Sequence, residues 1–231
     1  MTAIVWLHGF PLSPEMYAKQ LTIGGYQHFV PDLRDPSLTS MGDYSRAVQR
    51  FLDIEKIDRA VIAGFSMGGY IAMQLLRDVP QRFAALILID TRETADTDEG
   101  RAARHRQIDD VRANGTKSVV DAMLPKMVVH ESLLAPVRKI MESASAEWVI
   151  AALTSMATRP DSAETLRGAN IPALVFVGDK DPITPPSDAE RMVAMMRDAE
   201  LAPIAGAAHL ANYERPDQVN HIIEAWLARK L

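Results

Sequence analysis

A chain of 231 residues, 48% hydrophobic and 24% charged, can bury one sizeable core and has the balance of a globular protein, not of a disordered or fibrous one. A formal net charge of -5 offers no electrostatic footing for nucleic acid or an anionic membrane, and neither is expected as a partner. The absence of cysteine excludes disulfides, thiolate metal sites and a cysteine nucleophile.

The first residues, Met1 to Trp6, carry no basic segment, and the apolar run that follows stops at His8-Gly9, too short for the core of a signal peptide. No stretch reaches the roughly 20 apolar residues of a membrane helix, so a cytoplasmic protein is expected. Short β-branched or aliphatic runs at 3–7, 28–31, 60–65, 84–89, 173–177 and 201–205 read as strands. Most are apolar throughout instead of alternating, as strands buried on both faces of a parallel sheet must be. Helix-period segments lie between them at 43–54, 67–78, 187–197 and 217–229. In the last of these, Val219, Ile222, Ile223, Trp226 and Leu227 share one face behind Pro216, a favoured helix-starting residue. Alternating strands and helices predict an α/β fold with right-handed crossovers.

Residues 91–160 break the alternation. They hold no strand-like run but four helix-like segments, 99–114, 118–127, 133–144 and 147–158, and read as a helical insertion between core segments 1–90 and 161–231. The charged run Arg101, Arg104, Arg106, Asp109, Asp110, Arg112 is expected to be a solvated face of mixed ion pairs.

Gly64-Phe65-Ser66-Met67-Gly68 fits G-x-S-x-G between a predicted strand and a predicted helix. In that context the small residues permit a sharp strand-to-helix turn that lifts the serine hydroxyl clear of the sheet. The competing structural role for Ser66 is an ordinary helix N-cap. Acyl transfer also needs N–H donors aimed at the developing oxyanion. Met67 at the helix start and Phe10, in the loop His8-Gly9-Phe10-Pro11 after the first strand, are placed to supply them, while His8 reads as a packed loop histidine. The orienting acid and the base should follow in the order Ser, Asp, His. Gly178-Asp179-Lys180-Asp181-Pro182 offers two carboxylates at one strand end, and His209 follows the next; Asp90, at the end of the fourth strand, competes for the acid role.

The segments HGFPLS, GFSMGGYIAM, VGDKDPITPP and GAAHLANYERP resemble those of the α/β-hydrolase superfamily across essentially the whole chain. The intervening LILIDTRETADT, AMLPKM and ATRPDS are similar to bacterial carboxylesterases and to hydrolases of the 3-oxoadipate enol-lactonase type. The resemblance implies Ser66 as nucleophile, His209 as general base, Asp181 as its partner, Phe10 and Met67 as oxyanion donors, and residues 91–160 as a cap over the substrate pocket. It implies a small carboxylic ester as substrate, with a lactone as the alternative and a non-catalytic small-molecule binder as the rival from another class. No metal and no organic cofactor is implied. A carboxylate-bearing lactone would need a cationic anchor, for which Arg92, Arg159 or Arg167 is available. Relatives usually carry two further strands ahead of the HG segment. The expected sheet therefore has six strands, and its shortened edge points to a covering partner subunit in a homo-oligomer or to a shortened gene model. The segment Pro31 to Pro36 also departs from relatives that continue into a glycine-rich loop, which bears on the pocket rim and not on the triad.

Overall fold

The computed structural model describes residues 2–231. Six strands, β1 (Ala3–Leu7), β2 (Gln27–Phe29), β3 (Ala60–Phe65), β4 (Phe83–Ile89), β5 (Ala173–Gly178) and β6 (Ala199–Ile204), form one sheet in the order β2-β1-β3-β4-β5-β6. Every neighbouring pair is parallel. All residues of β1, β3, β4 and β5 are buried, which accounts for their unbroken apolar sequences.

Period-two side-chain direction divides the core into two layers. Val5, Leu7, Ile62, Leu88 and Val175 point to one face, against Val48 and Leu52 of α1 (Met41–Ile54), Leu75 of α2 (Met67–Asp78) and Met192 of α8 (Pro186–Met195). Ile4, Trp6, Ala63, Ile87 and Phe176 point to the other, against Val219, Ile223, Trp226 and Leu227 of α10 (Pro216–Lys230). Each fully buried aliphatic side chain contributes about 1.5–3 kcal/mol, so the apolar stripe predicted for α10 is sufficient reason for its docking.

Between β4 and β5 run α3 (Asp98–Asn114), α4 (Lys117–Met127), α5 (Leu134–Glu142), α6 (Ala146–Ala157) and α7 (Ala163–Gly168). Helix α3 packs along α6 through Ile108 and Val111; its outer face carries the ion pairs Arg101–Asp98 and Arg112–Asp109, while Arg104 turns inward to Asp96, ahead of the helix. The predicted boundaries need correction in several places. Strand β2 ends at Phe29, short of Pro31, and β6 begins at Ala199. As the far edge strand, β6 alternates in burial, and its charged Glu200 pairs with Arg229 at 2.6 Å, so no apolar run marks its start. Helix α1 starts at Met41 because Ser40 Oγ accepts the Asp43 N–H (3.1 Å) while donating to the Asp43 carboxylate (2.8 Å), a reciprocal cap. Helices α7 and α9 (Ala211–Glu214), six and four residues long, are too short to show a period and were not expected.

Strand register aligns the carboxyl ends of the strands: Leu7 lies beside Gly64, Phe65 beside Ile89, and Ile89 beside Phe176. The chain leaves β1 toward β2 on one side and β3 toward β4 on the other. The crevice of this parallel sheet therefore opens between the β1 and β3 ends, the switch point at which α/β folds place their ligands.

Candidate active site

Ser66 stands on the turn between β3 and α2 with φ +50° and ψ -113°, a backbone conformation that strains any residue with a Cβ. Glycines make the turn possible: a Cβ on Gly68 would run into the Leu7 carbonyl, and one on Gly64 into the carbonyl of Gly68. The strained peptide is held on several sides. Ser66 N–H donates to Ile89 O (2.9 Å), and Ser66 O accepts from Thr91 Oγ1 (2.8 Å) and Gly69 N–H (2.9 Å). Although Ser66 occupies the N-cap position of α2, its side chain makes no capping bond. Its Oγ lies instead 3.0 Å from His209 Nε2.

The other ring nitrogen, His209 Nδ1, is 2.8 Å from Asp181 Oδ2, and both side chains are fully buried. A carboxylate can only accept here, so Nδ1 carries the proton and Nε2 is left as the acceptor facing Ser66. The Asp181 carboxylate is itself held by four donors. Oδ1 accepts the N–H groups of Ile183 (2.7 Å) and Thr184 (3.1 Å), and Oδ2 accepts the Thr184 hydroxyl (2.5 Å) as well as His209. Burial alone would raise the Asp181 carboxyl, but the charge and hydrogen bond of His209, with the bonds from Thr184 and Ile183, outweigh it and hold it below its usual value of 3.8. The Phe65 ring packs 5.0 Å from the imidazole and fills its other side.

Phe10, in the loop three residues beyond β1, and Met67, the first residue of α2, are buried, and neither backbone N–H donates a hydrogen bond to another described residue. His8 is occupied structurally: its Nε2 accepts Leu33 N–H (3.0 Å) and its Nδ1 lies 3.2 Å from Gly9 O, fixing the loop that carries Phe10. Trp148 of α6 packs 5.9 Å from both the His8 and the Phe10 rings, with its Nε1 donating to Tyr44 OH at 3.1 Å. Helix α6 is thus seated directly on that loop.

The two other carboxylates that competed for His209 are engaged elsewhere. Asp90 accepts Gly178 N–H (2.8 Å) and Ala211 N–H (3.1 Å), and Asp179, partly exposed, accepts Gly206 N–H (2.8 Å). Nor do the three arginines considered as substrate anchors stand free. Arg92 lies 3.2 Å from Asp188 and donates to the Ile183 carbonyl. Arg159 is buried, 2.6 Å from Asp96, and stacked 4.3 Å over the Tyr70 ring. Arg167 pairs with Glu164 in a half-exposed position. Sequence reasoning missed Thr184, whose only signal is its place three residues after Asp181, and the seat of the apolar Trp148 on the Phe10 loop, which depends on contacts across the fold. Among the described residues no three His, Asp or Glu side chains are grouped to hold a metal ion, and no helix is long and apolar enough to cross a membrane.

A model of the alpha/beta hydrolase family matches residues 4–222. Among solved structures, the thermophilic esterase from Thermogutta terrifontis superposes with a TM-score of 0.95 at 31% identity, covering 99% of this chain and 90% of that one. The AB hydrolase superfamily protein YisY of Bacillus subtilis is 28% identical over 245 residues, 95% of this chain and 89% of its own. The 3-oxoadipate enol-lactonase 2 of Acinetobacter baylyi is 26% identical over 243 residues, 98% of this chain and 89% of its own.

Proposed function

The chain belongs to the alpha/beta hydrolase family, and from that premise we propose that it is a serine hydrolase cleaving small carboxylic esters through an acyl-enzyme. The observation that carries this reading is the continuous hydrogen-bonded line Ser66 Oγ, His209 Nε2, His209 Nδ1, Asp181 Oδ2, built on a serine that has given up its capping bond.

In the first half-reaction Ser66 Oγ attacks the ester carbonyl carbon as its proton passes to His209 Nε2. Asp181 keeps the imidazole in the receptive tautomer and stabilises the imidazolium. The carbonyl oxygen takes the negative charge, which the N–H groups of Phe10 and Met67 stabilise. Collapse expels the alkoxide, which takes the proton from Nε2 and leaves as the alcohol. In the second half, His209 removes a proton from water, the hydroxide attacks the acyl carbon, and Ser66 departs with its proton restored. In this reading residues 91–160 form the cap and residues 1–90 with 161–231 the catalytic core, Trp148 being the cap's contact with the oxyanion loop.

An uncharged ester is favoured over a carboxylate-bearing lactone because each of the arginines considered as anchors is already engaged by a carboxylate, Asp188, Asp96 or Glu164. Two measurements test the reading. Ser66→Ala should lower turnover of a p-nitrophenyl ester by about 10⁶-fold, the scale on which losing the serine of a comparable triad acts. A rate near that of the wild type would overturn the mechanism, and failure of a serine-directed phosphonate to label Ser66 would favour a non-catalytic binder. A matched comparison of short p-nitrophenyl esters with the enol-lactone should favour the esters, and the opposite ranking would move the substrate to the lactone.

A further inference from the structure

Glu214 lies five residues beyond His209, is only 7% exposed, and takes no part in the chemistry above. Its carboxylate accepts three backbone N–H groups, one from the nearby loop before His209 and two from a segment far along the chain. Oε2 takes Ala208 N–H (2.6 Å), the residue immediately before the base. Oε1 takes Val129 N–H (2.7 Å) and His130 N–H (3.1 Å), in the turn that follows α4. The same two segments are joined again beside it, where Leu210 N–H donates to Met127 O (2.8 Å) and His209 N–H to Lys126 O (3.4 Å). The backbone of His209 is therefore bonded directly to the helical insertion, and Glu214 is the side chain that closes this clasp.

We propose that Glu214 is a positioning residue that couples the insertion to the general base, so that the placement of residues 126–130 sets the reach of His209 Nε2 to Ser66. The inference rests on the serine-hydrolase reading above. A carboxylate suits the task because both of its oxygens accept; a carboxamide accepts with one and turns an NH2 toward donors on the other side. Glu214→Gln therefore opens one arm of the clasp while nearly preserving shape. A displacement of the base by a fraction of an ångström acts on proton transfer and leaves ester binding largely alone, which separates positioning from scaffolding.

The experiment measures kcat and KM on a p-nitrophenyl ester, with kcat expressed per serine titrated by a phosphonate, so that loss of folded protein does not enter. Glu214→Gln should lower kcat per titrated serine by about 10- to 100-fold with KM little changed. A second pair removes a single donor without touching the carboxylate. His130 has φ -81°, close to the angle proline fixes, so His130→Pro deletes its N–H in a compatible backbone, and His130→Ala, which keeps the N–H, is its reference. The proline variant should show a smaller loss in the same direction relative to the alanine variant, and it decides the matter alone if Glu214→Gln does not fold. Unchanged kcat per titrated serine in the folded variants overturns the role of Glu214 and leaves the hydrolase reading standing. A wild-type protein that the phosphonate does not label takes both down.

Discussion

Asp90 and Asp181 follow neighbouring strands, both are buried, and each accepts two backbone N–H groups, yet only Asp181 reaches the histidine. Asp90 spends its two oxygens on separate segments, Gly178 N–H at the β5 exit and Ala211 N–H just past His209, and so braces the loops around the base. Asp181 takes both of its backbone donors on Oδ1, from its own turn, which leaves Oδ2 to the Thr184 hydroxyl and His209. The contrast extends to charge. Burial first, and then repulsion from Asp181, pushes the Asp90 carboxyl well above 3.8, whereas Asp181 is held below it. The role of a buried carboxylate at a strand end is decided by where its donors come from, and the sequence position of either residue would have suited both tasks.

The largest effect that could break this contrast is expected in acylation. Asp181→Asn keeps size and shape, but the N–H groups of Ile183 and Thr184 hold its carbonyl oxygen at the Oδ1 position, so its NH2 faces His209 Nδ1 and disfavours the receptive tautomer. Single-turnover acylation should fall by ~10⁴-fold, the loss seen for the corresponding change in a Ser-His-Asp triad, with the fold intact by circular dichroism. A loss of that size in Asp90→Asn instead would transfer the orienting role to the β4 end.

Asp90→Asn should act on stability. Asp90 has φ +44°, a region asparagine tolerates as well as aspartate, so the substitution adds no backbone strain and isolates the hydrogen bonds. Asparagine can accept from Gly178 or from Ala211 but not from both, and the buried donor left unpaired costs about 1–3 kcal/mol. Urea titration at about pH 4, where the contribution of Asp90 is full, should show that loss, with acylation of the folded variant at neutral pH reduced far less than in Asp181→Asn. An unchanged midpoint would mean that Asp90 is not the brace its contacts describe.

The readability of the two sites in the sequence follows the same line between local and distant determinants. Strands β1, β3, β4 and β5 announced themselves as apolar runs because both their faces are buried; Ser66 directly follows one of them, Asp181 comes three residues after another, and His209 was found through the shorter run 201–205 that precedes its loop. What depends on a partner far along the chain stayed hidden. Arg92 and Arg159 were weighed as substrate anchors because the sequence shows their charge and not the Asp188 and Asp96 carboxylates packed against them. Glu214 carried no signal of its own in the sequence, since its donors Val129 and His130 lie 85 and 84 residues away. Strand-end position alone left the acid role open between Asp90 and Asp181, and the family resemblance was what favoured Asp181, since the Ala211 N–H that engages Asp90 is 121 residues away.

The smallest and sharpest test lies in how the two carboxylates link stability to pH. For Asp181, whose carboxyl is held below 3.8 when folded, the folded state keeps the charge at pH values where the unfolded chain has begun to take up a proton. Its contribution is present in full above about pH 4, the unfolded carboxylate range, and is lost as pH falls through the lowered value. Asp90 runs the other way. With its carboxyl raised when folded, it holds a proton that the unfolded chain has released, so its contribution is full below about pH 4 and is lost as pH rises through the raised value. Each proton is worth at most about 1.4 kcal/mol per pH unit. Urea titrations of the wild type and both asparagine variants, stepped through the acid range to neutrality, should therefore diverge in sign. The gap between wild type and Asp90→Asn should narrow as pH rises from about 4, and the gap to Asp181→Asn should narrow as pH falls below about 4. Gaps that moved in the same direction would show that the two carboxylates share one electrostatic environment, and the division of labour between them would have to be redrawn.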